Sequence, residues 1–245
     1  QGLSNNKVRS ILEDSNGNIW LSTEGGGINK LNEGGFSYLP HNEVLANNRV
    51  RPIIKDKNGN IWFGTEGNGV GKYDAENFAE PSGNFSYFKE KGNEKFTGQR
   101  SLMQDATGNI WIGETRGNII SLNGQVFTNY TPENENSENT IFDIKQDRQG
   151  NIWFAKKYDG ISKFNGQYFT NYSEKEGLPC KKIFSMYEDK KRNLWFGTDG
   201  ACICKYDGAK LINYTEKEGF FGKSVTTIIE DKKGTLWLGT LGAGV

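Results

Sequence analysis

One repeated position, eleven residues before a tryptophan, carries Arg9, Arg51, Arg100, Phe142, Phe184 and Thr226. Four residues past the same tryptophans stand Glu24, Glu66, Thr115, Lys157, Asp199 and Leu241. One step further lie Gly25, Gly67, Arg116, Tyr158, Gly200 and Gly242. Guanidinium forks match carboxylates and sulfates, and aromatic faces suit sugar rings. Arg9, Arg51, Arg100, Arg116, Lys157, Phe142, Phe184 and Tyr158 are therefore the candidate ligand-binding residues. Two arrangements are open. In one, Arg9 pairs with Glu24 and Arg51 with Glu66 across neighbouring antiparallel strands. In the other, the arginines, Lys157 and the aromatics line a polar pocket at the mouth of the central channel.

Catalysis has little to work with. The single histidine, His41, sits in a loop, and neither GxSxG nor HExxH occurs. No catalytic residue, metal ligand or cofactor is expected. Asp14, Asp56, Asp105, Asp147, Asp189 and Asp231 could be taken for calcium ligands, but calcium wants six to eight oxygens. Each turn offers one carboxylate, so a hairpin cap is the expectation. The glycines at 25–27 and 67–69 follow a strand but enter another strand, so they are not phosphate loops.

These positions are set by a repeat. The six tryptophans, Trp20, Trp62, Trp111, Trp153, Trp195 and Trp237, are spaced 42, 49, 42, 42 and 42 residues apart. Six residues before each lies one of the aspartates just named. Three before lies a glycine, with Arg192 the exception. Each unit reads as four short alternating strands, as in KIFSMYED, LWFGT, CICKYDG and LINYT within Lys182–Thr215. A turn aspartate accepts bonds from the N–H groups of its own turn, and glycine allows positive φ. Four strands every 40–45 residues or so is the propeller signature. The expected fold is all-β: a single β-propeller domain over residues 1–245, its four-stranded blades packed through the tryptophans. The seven extra residues between Trp62 and Trp111 fall around Ala75–Gly83, in the loop joining strands three and four.

The stretches EDSNGNIWLSTEGGGINKL and KDKNGNIWFGTEGNGVGKY resemble the two-component regulator propeller repeat. The resemblance covers essentially the whole chain. It implies an extracytoplasmic sensor module of the kind found in hybrid histidine kinases that respond to glycans. Such propellers commonly have seven blades, whereas six repeats are present here and the last stops early in its third strand. The expectation is thus six blades, or part of a seven-bladed ring. Streptogramin-cleaving lyases also use a propeller, with a catalytic histidine and a metal, and the histidine supply here disfavours that reading.

Composition agrees with a binding module. Thirty basic and thirty acidic residues give zero net charge, so neither nucleic acid nor an anionic membrane is an expected partner. No apolar run approaches a spanning helix. The expected partner is a glycan or other polar small molecule, with a protein surface or a signalling domain outside this chain as the alternative. The expected location is the periplasm or cell surface. Cys180, Cys202 and Cys204 form no CxxC pair, and three buried thiols are expected, with a Cys180 bridge to one of the others as the alternative.

Overall fold

The computed structural model describes residues 2–39, 49–74, 85–91, 94–131, 138–200, 202–220, 223–242 and 244. His41 and the whole of the Ala75–Gly83 insertion lie outside them. The chain divides into two compact units, Gln1–Thr131 and Pro132–Val245.

The first unit holds three four-stranded antiparallel sheets, one per repeat. Their first strands are Val8–Glu13, Val50–Lys55 and Gln99–Gln104, and their second strands Ile19–Thr23, Ile61–Thr65 and Ile110–Glu114. A short ladder, Glu90–Lys91 with Glu94–Lys95, precedes the third sheet. The second unit holds two four-stranded sheets, begun by Ile141–Gln146 and Ile183–Glu188. It also holds a two-stranded ladder of Val225–Glu230 with Leu236–Thr240. Strands pair in sequence order within the five four-stranded sheets, each of which is a propeller blade. First strands of successive blades touch within each unit, as inner strands should.

The repeat aspartates fix the turn between strands one and two. Asp14 Oδ1 accepts from the backbone N–H groups of Asn16 (2.8 Å) and Asn18 (3.0 Å). Asp14 Oδ2 accepts from Asn18 Nδ2 (2.8 Å) and from the Trp20 indole Nε1 (2.7 Å). The indole bond recurs at Trp62, Trp111, Trp153 and Trp195, at 2.7–2.8 Å, and loosens to 3.2 Å at Trp237. The six-residue spacing is thus a buried donor matched to its acceptor, which a buried indole N–H requires. Both oxygens are engaged inside the turn, the arrangement of a cap. Burial pushes the Asp14, Asp105 and Asp189 carboxyls up, but the bonds outweigh it and hold them below the usual range. Arg192 keeps the left-handed backbone of the glycines it replaces, at φ 68°.

Within each unit, Trp20, Trp62, Trp153 and Trp195 fill the space between one blade and the next. Trp20 packs with Val50, Ile53, Ile61 and Phe63 of the next repeat, and Trp153 with Ile183, Met186 and Phe196. Trp20 is fully buried, whereas Trp237, on the two-stranded ladder, is 48% exposed.

Two details of the cysteine reading change. Cys180 is half-buried rather than buried, and Cys202 precedes strand Ile203–Tyr206 instead of lying in it. All three are free thiols, and burial pushes Cys204 up to about 12.

Candidate functional site

The position eleven before the tryptophan is a β-bulge in every repeat. The ladder between strands one and two slips between Val8 and Ser10, Val50 and Ile53, Gln99 and Ser101, Ile141 and Asp143, Ile183 and Ser185, and Val225 and Thr227. The residues so displaced include Arg9, Arg51, Arg100, Phe142, Phe184 and Thr226. A bulge sets two residues against one and re-aims a side chain out of the alternation. The backbone beside it is fixed by one recurring bond. The first residue of the two-to-three loop donates to the carbonyl two residues before the bulge: Glu24 to Lys7, Glu66 to Arg49, Thr115 to Gly98, Lys157 to Thr140, Asp199 to Lys182 and Leu241 to Ser224. One frame thus presents three kinds of side chain across six repeats.

In the first unit the frame carries arginines. Arg9 is ion-paired to Glu24. Arg51 Nη2 lies 3.7 Å from Glu66 Oε1, while Arg49 Nη1 donates to Glu66 Oε2 at 3.2 Å. The within-blade pairing therefore exists, and the arginines also converge. Burial, then the nearby cations of Arg51 and Arg9, push the Arg100 guanidinium down to about 10, with Glu66 opposing. Arg51 Nε is buried without a hydrogen-bond partner among the described residues, a state that a native donor seldom keeps.

Arg116 stands apart from this arc, on the wall of a cleft. A cavity of about 430 Å³ is lined by Glu66, Gly67, Lys95–Gly98, Thr115 and Arg116. A smaller one of about 250 Å³ continues from Gly67 and Lys95 to Asn68, Tyr87, Lys89 and Glu90. Sequence reasoning missed this cleft, because its walls come from three separate loops.

In the second unit the same frame carries aromatics. The Phe142 and Phe184 rings lie 5.2 Å apart, and the Lys182 ammonium sits 4.7 Å over Phe184. Lys182 is also held by Asp199 at 2.8 Å, and Ser224 Oγ donates to the same carboxylate at 2.6 Å. Lys157 lies 4.5 Å over the ring of its neighbour Tyr158, whose N–H donates to Asn139 Oδ1. Beside the bulge, Asp143 Oδ2 accepts from Met186 N of the next blade at 2.8 Å, and burial raises its carboxyl pKa.

Among the described residues no group of three or more His, Cys, Asp or Glu side chains is placed to hold a metal ion. Also among them, no helix is long and apolar enough to cross a membrane.

The family model "Two component regulator propeller" matches residues 2–25, 44–67, 136–155, 177–200 and 219–242. No curated protein matches the chain. Among solved structures, the chain is similar to the extracellular domain of a B. thetaiotaomicron protein assigned as a hybrid two component system. That match has 27% identity and a TM-score of 0.79, and covers 97% of this chain but 33% of the other. The chain therefore spans about a third of that structure. Virginiamycin B lyase from Staphylococcus aureus matches at 16% identity and a TM-score of 0.75, over 97% of this chain and 80% of the lyase. PorZ of Porphyromonas gingivalis, a surface component of the type-IX secretion system, matches at 15% and 0.69, over 96% of this chain and 37% of PorZ. At these identities the last two share the fold alone.

Proposed function

We propose, because the repeats of this chain belong to the two component regulator propeller family, that it is a non-catalytic sensor module acting outside the cytoplasm, in the periplasm or at the cell surface. Its ligand is a polar molecule bearing an anionic group, of the acidic glycan class, and binding is relayed to a signalling partner. The observation that carries this reading is the arginine arc. Three successive blades spend their bulge position on arginine; Arg9 pairs with Glu24, while Arg49 and Arg51 share Glu66, whose charge Arg100 also feels. Cations held this close repel one another, and an incoming carboxylate or sulfate relieves that repulsion while offering Arg51 Nε an acceptor. The similarity to an extracellular domain supports the location.

The test is a thermal-shift and calorimetric screen pairing each neutral oligosaccharide with an acidic counterpart. A ligand at 100 times its Kd stabilises by about 2.7 kcal/mol. The expected result is a shift with acidic members only, weakened by added salt and removed in Arg51→Ala. Equal binding of neutral and acidic members, or an Arg51→Ala protein that binds as wild type does, refutes the reading. A protein partner captured at the same face with no sugar bound points instead to a scaffold.

A further inference from the structure

We propose that the cleft beside the arginine arc is a second subsite that takes the following units of the same ligand, so that the first unit of the chain binds oligomers in preference to single sugars. The inference rests on the anionic-ligand reading of the arc and adds length and hydroxyl content to it.

The cleft is continuous with the arc through one residue. Glu66 lines the larger cavity and is also the partner of Arg49 and Arg51. A ligand with its anion on Arg51 therefore meets the cleft immediately beyond Glu66. The larger cavity, about 430 Å³, lies within the range of small-molecule clefts, about 300–1,000 Å³. The smaller one extends it past Gly67.

The floor is built rather than incidental. Glu114 is fully buried beneath it. Its Oε1 accepts from Thr97 N at 2.6 Å and Gln99 Nε2 at 3.3 Å, and its Oε2 from Asn118 Nδ2 at 2.5 Å. Thr97 is thus fixed through its backbone. Its hydroxyl, by contrast, is buried with no hydrogen-bond partner among the described residues. Gly98 lets the two walls meet, since a Cβ there would stand 3.0 Å from Thr115 Oγ1.

The chemistry of the walls selects the ligand class. Lys95 and Arg116 supply cations on the larger cavity and Lys89 on the smaller, but Glu66 and Glu90 stand among them. A dense polyanion would be repelled by those two carboxylates. A chain rich in hydroxyls with spaced anionic groups satisfies both signs: its hydroxyls donate to Glu66 and Glu90, and its carboxylates accept from Lys95, Arg116 and Thr97 Oγ1. A uronic-acid oligosaccharide has that pattern.

The experiment is calorimetry of the whole chain with galacturonate oligomers of one, two and four units, and with neutral galactose oligomers of the same lengths. Wild type is expected to bind the acidic series with affinity rising along it. Arg116→Ala, exposed and expected to fold normally, and Thr97→Val are each expected to cost the tetramer about tenfold, one charge-assisted bond's worth, and the monomer nothing. Thermal midpoints of both variants check that they are folded. Failure of the arc reads differently: Arg51→Ala would leave every length unchanged while Arg116→Ala still weakened the tetramer. The subsite proposal is overturned if affinity does not rise with length, if Arg116→Ala and Thr97→Val both bind the tetramer as wild type does, or if no member of the acidic series binds.

Discussion

The two units set the same backbone device to opposite uses. In the first, the bulge at the head of the inner strand presents Arg9, Arg51 and Arg100, with Arg9 paired to Glu24, Arg51 beside Glu66, and both cations acting on Arg100. In the second, the same bulge presents Phe142 and Phe184, which close on each other at 5.2 Å. The aspartate turn and the loop-to-strand bond are common to both. The frame, not the displayed residue, therefore carries the blade. A side chain displaced from the ladder costs the sheet nothing in cross-strand pairing, so this is the position where repeats are free to diverge.

The comparison breaks first if the frames are unequal. Asp56→Ala and Asp147→Ala each leave an indole N–H and two turn N–H groups unmatched, and each is expected to cost about 2–4 kcal/mol. Urea unfolding followed by tryptophan fluorescence measures both, and a loss in only one unit would show that the frame is not shared. The next effect separates display from support. Phe142→Ala removes half of a half-buried ring pair and is expected to cost about 1–2 kcal/mol, whereas Arg9→Ala, at an exposed ion pair, is expected to cost about 0.5 kcal/mol or less. Equal losses would mean that the arginine too is structural.

A pH titration sharpens the contrast further. Asp105 in the first unit has its folded carboxyl below the usual value of 3.8, so its contribution is present above that value and is lost as pH falls through the lowered one. Asp143 in the second unit has its carboxyl raised, so its contribution is full below 3.8 and is lost as pH rises toward the raised value. Stability curves of Asp105→Asn and Asp143→Asn against wild type should therefore diverge in opposite directions with pH, and parallel curves would contradict the two environments. The smallest effect is local. Arg192→Gly relieves a left-handed backbone and is expected to add up to about 1 kcal/mol, read as a rise in the urea midpoint.

Much of this was legible in the residues. Tryptophans at a fixed period gave the blades, and an aspartate six residues upstream gave the turn. The indole bond was not foreseen, although a donor and an acceptor at constant spacing are its signal. The bulge was also written in the sequence. Buried residues fall three apart rather than two in the first strands, as Val50 and Ile53, Ile141 and Ile144, or Val225 and Ile228. Period-two alternation cannot place both on one face unless an extra residue intervenes. The clustering of the arginines was half visible, because the pairings with Glu24 and Glu66 hold while the arginines also converge. The cleft had no local signature. Its walls are Glu66–Gly67, Lys95–Gly98 and Thr115–Arg116, and only the packing of one blade on the next brings them together.

The aspartate turn has a consequence in time as well as in space. Its bonds join residues two to six apart in the chain, so each hairpin closes without waiting for distant segments. Contacts this local form early and at small entropic expense. The indole it orients then offers a ready surface to the following blade, as Trp20 does to Val50 and Phe63. Assembly can therefore begin at any repeat and spread to its neighbours, in the manner of a one-dimensional chain of coupled units.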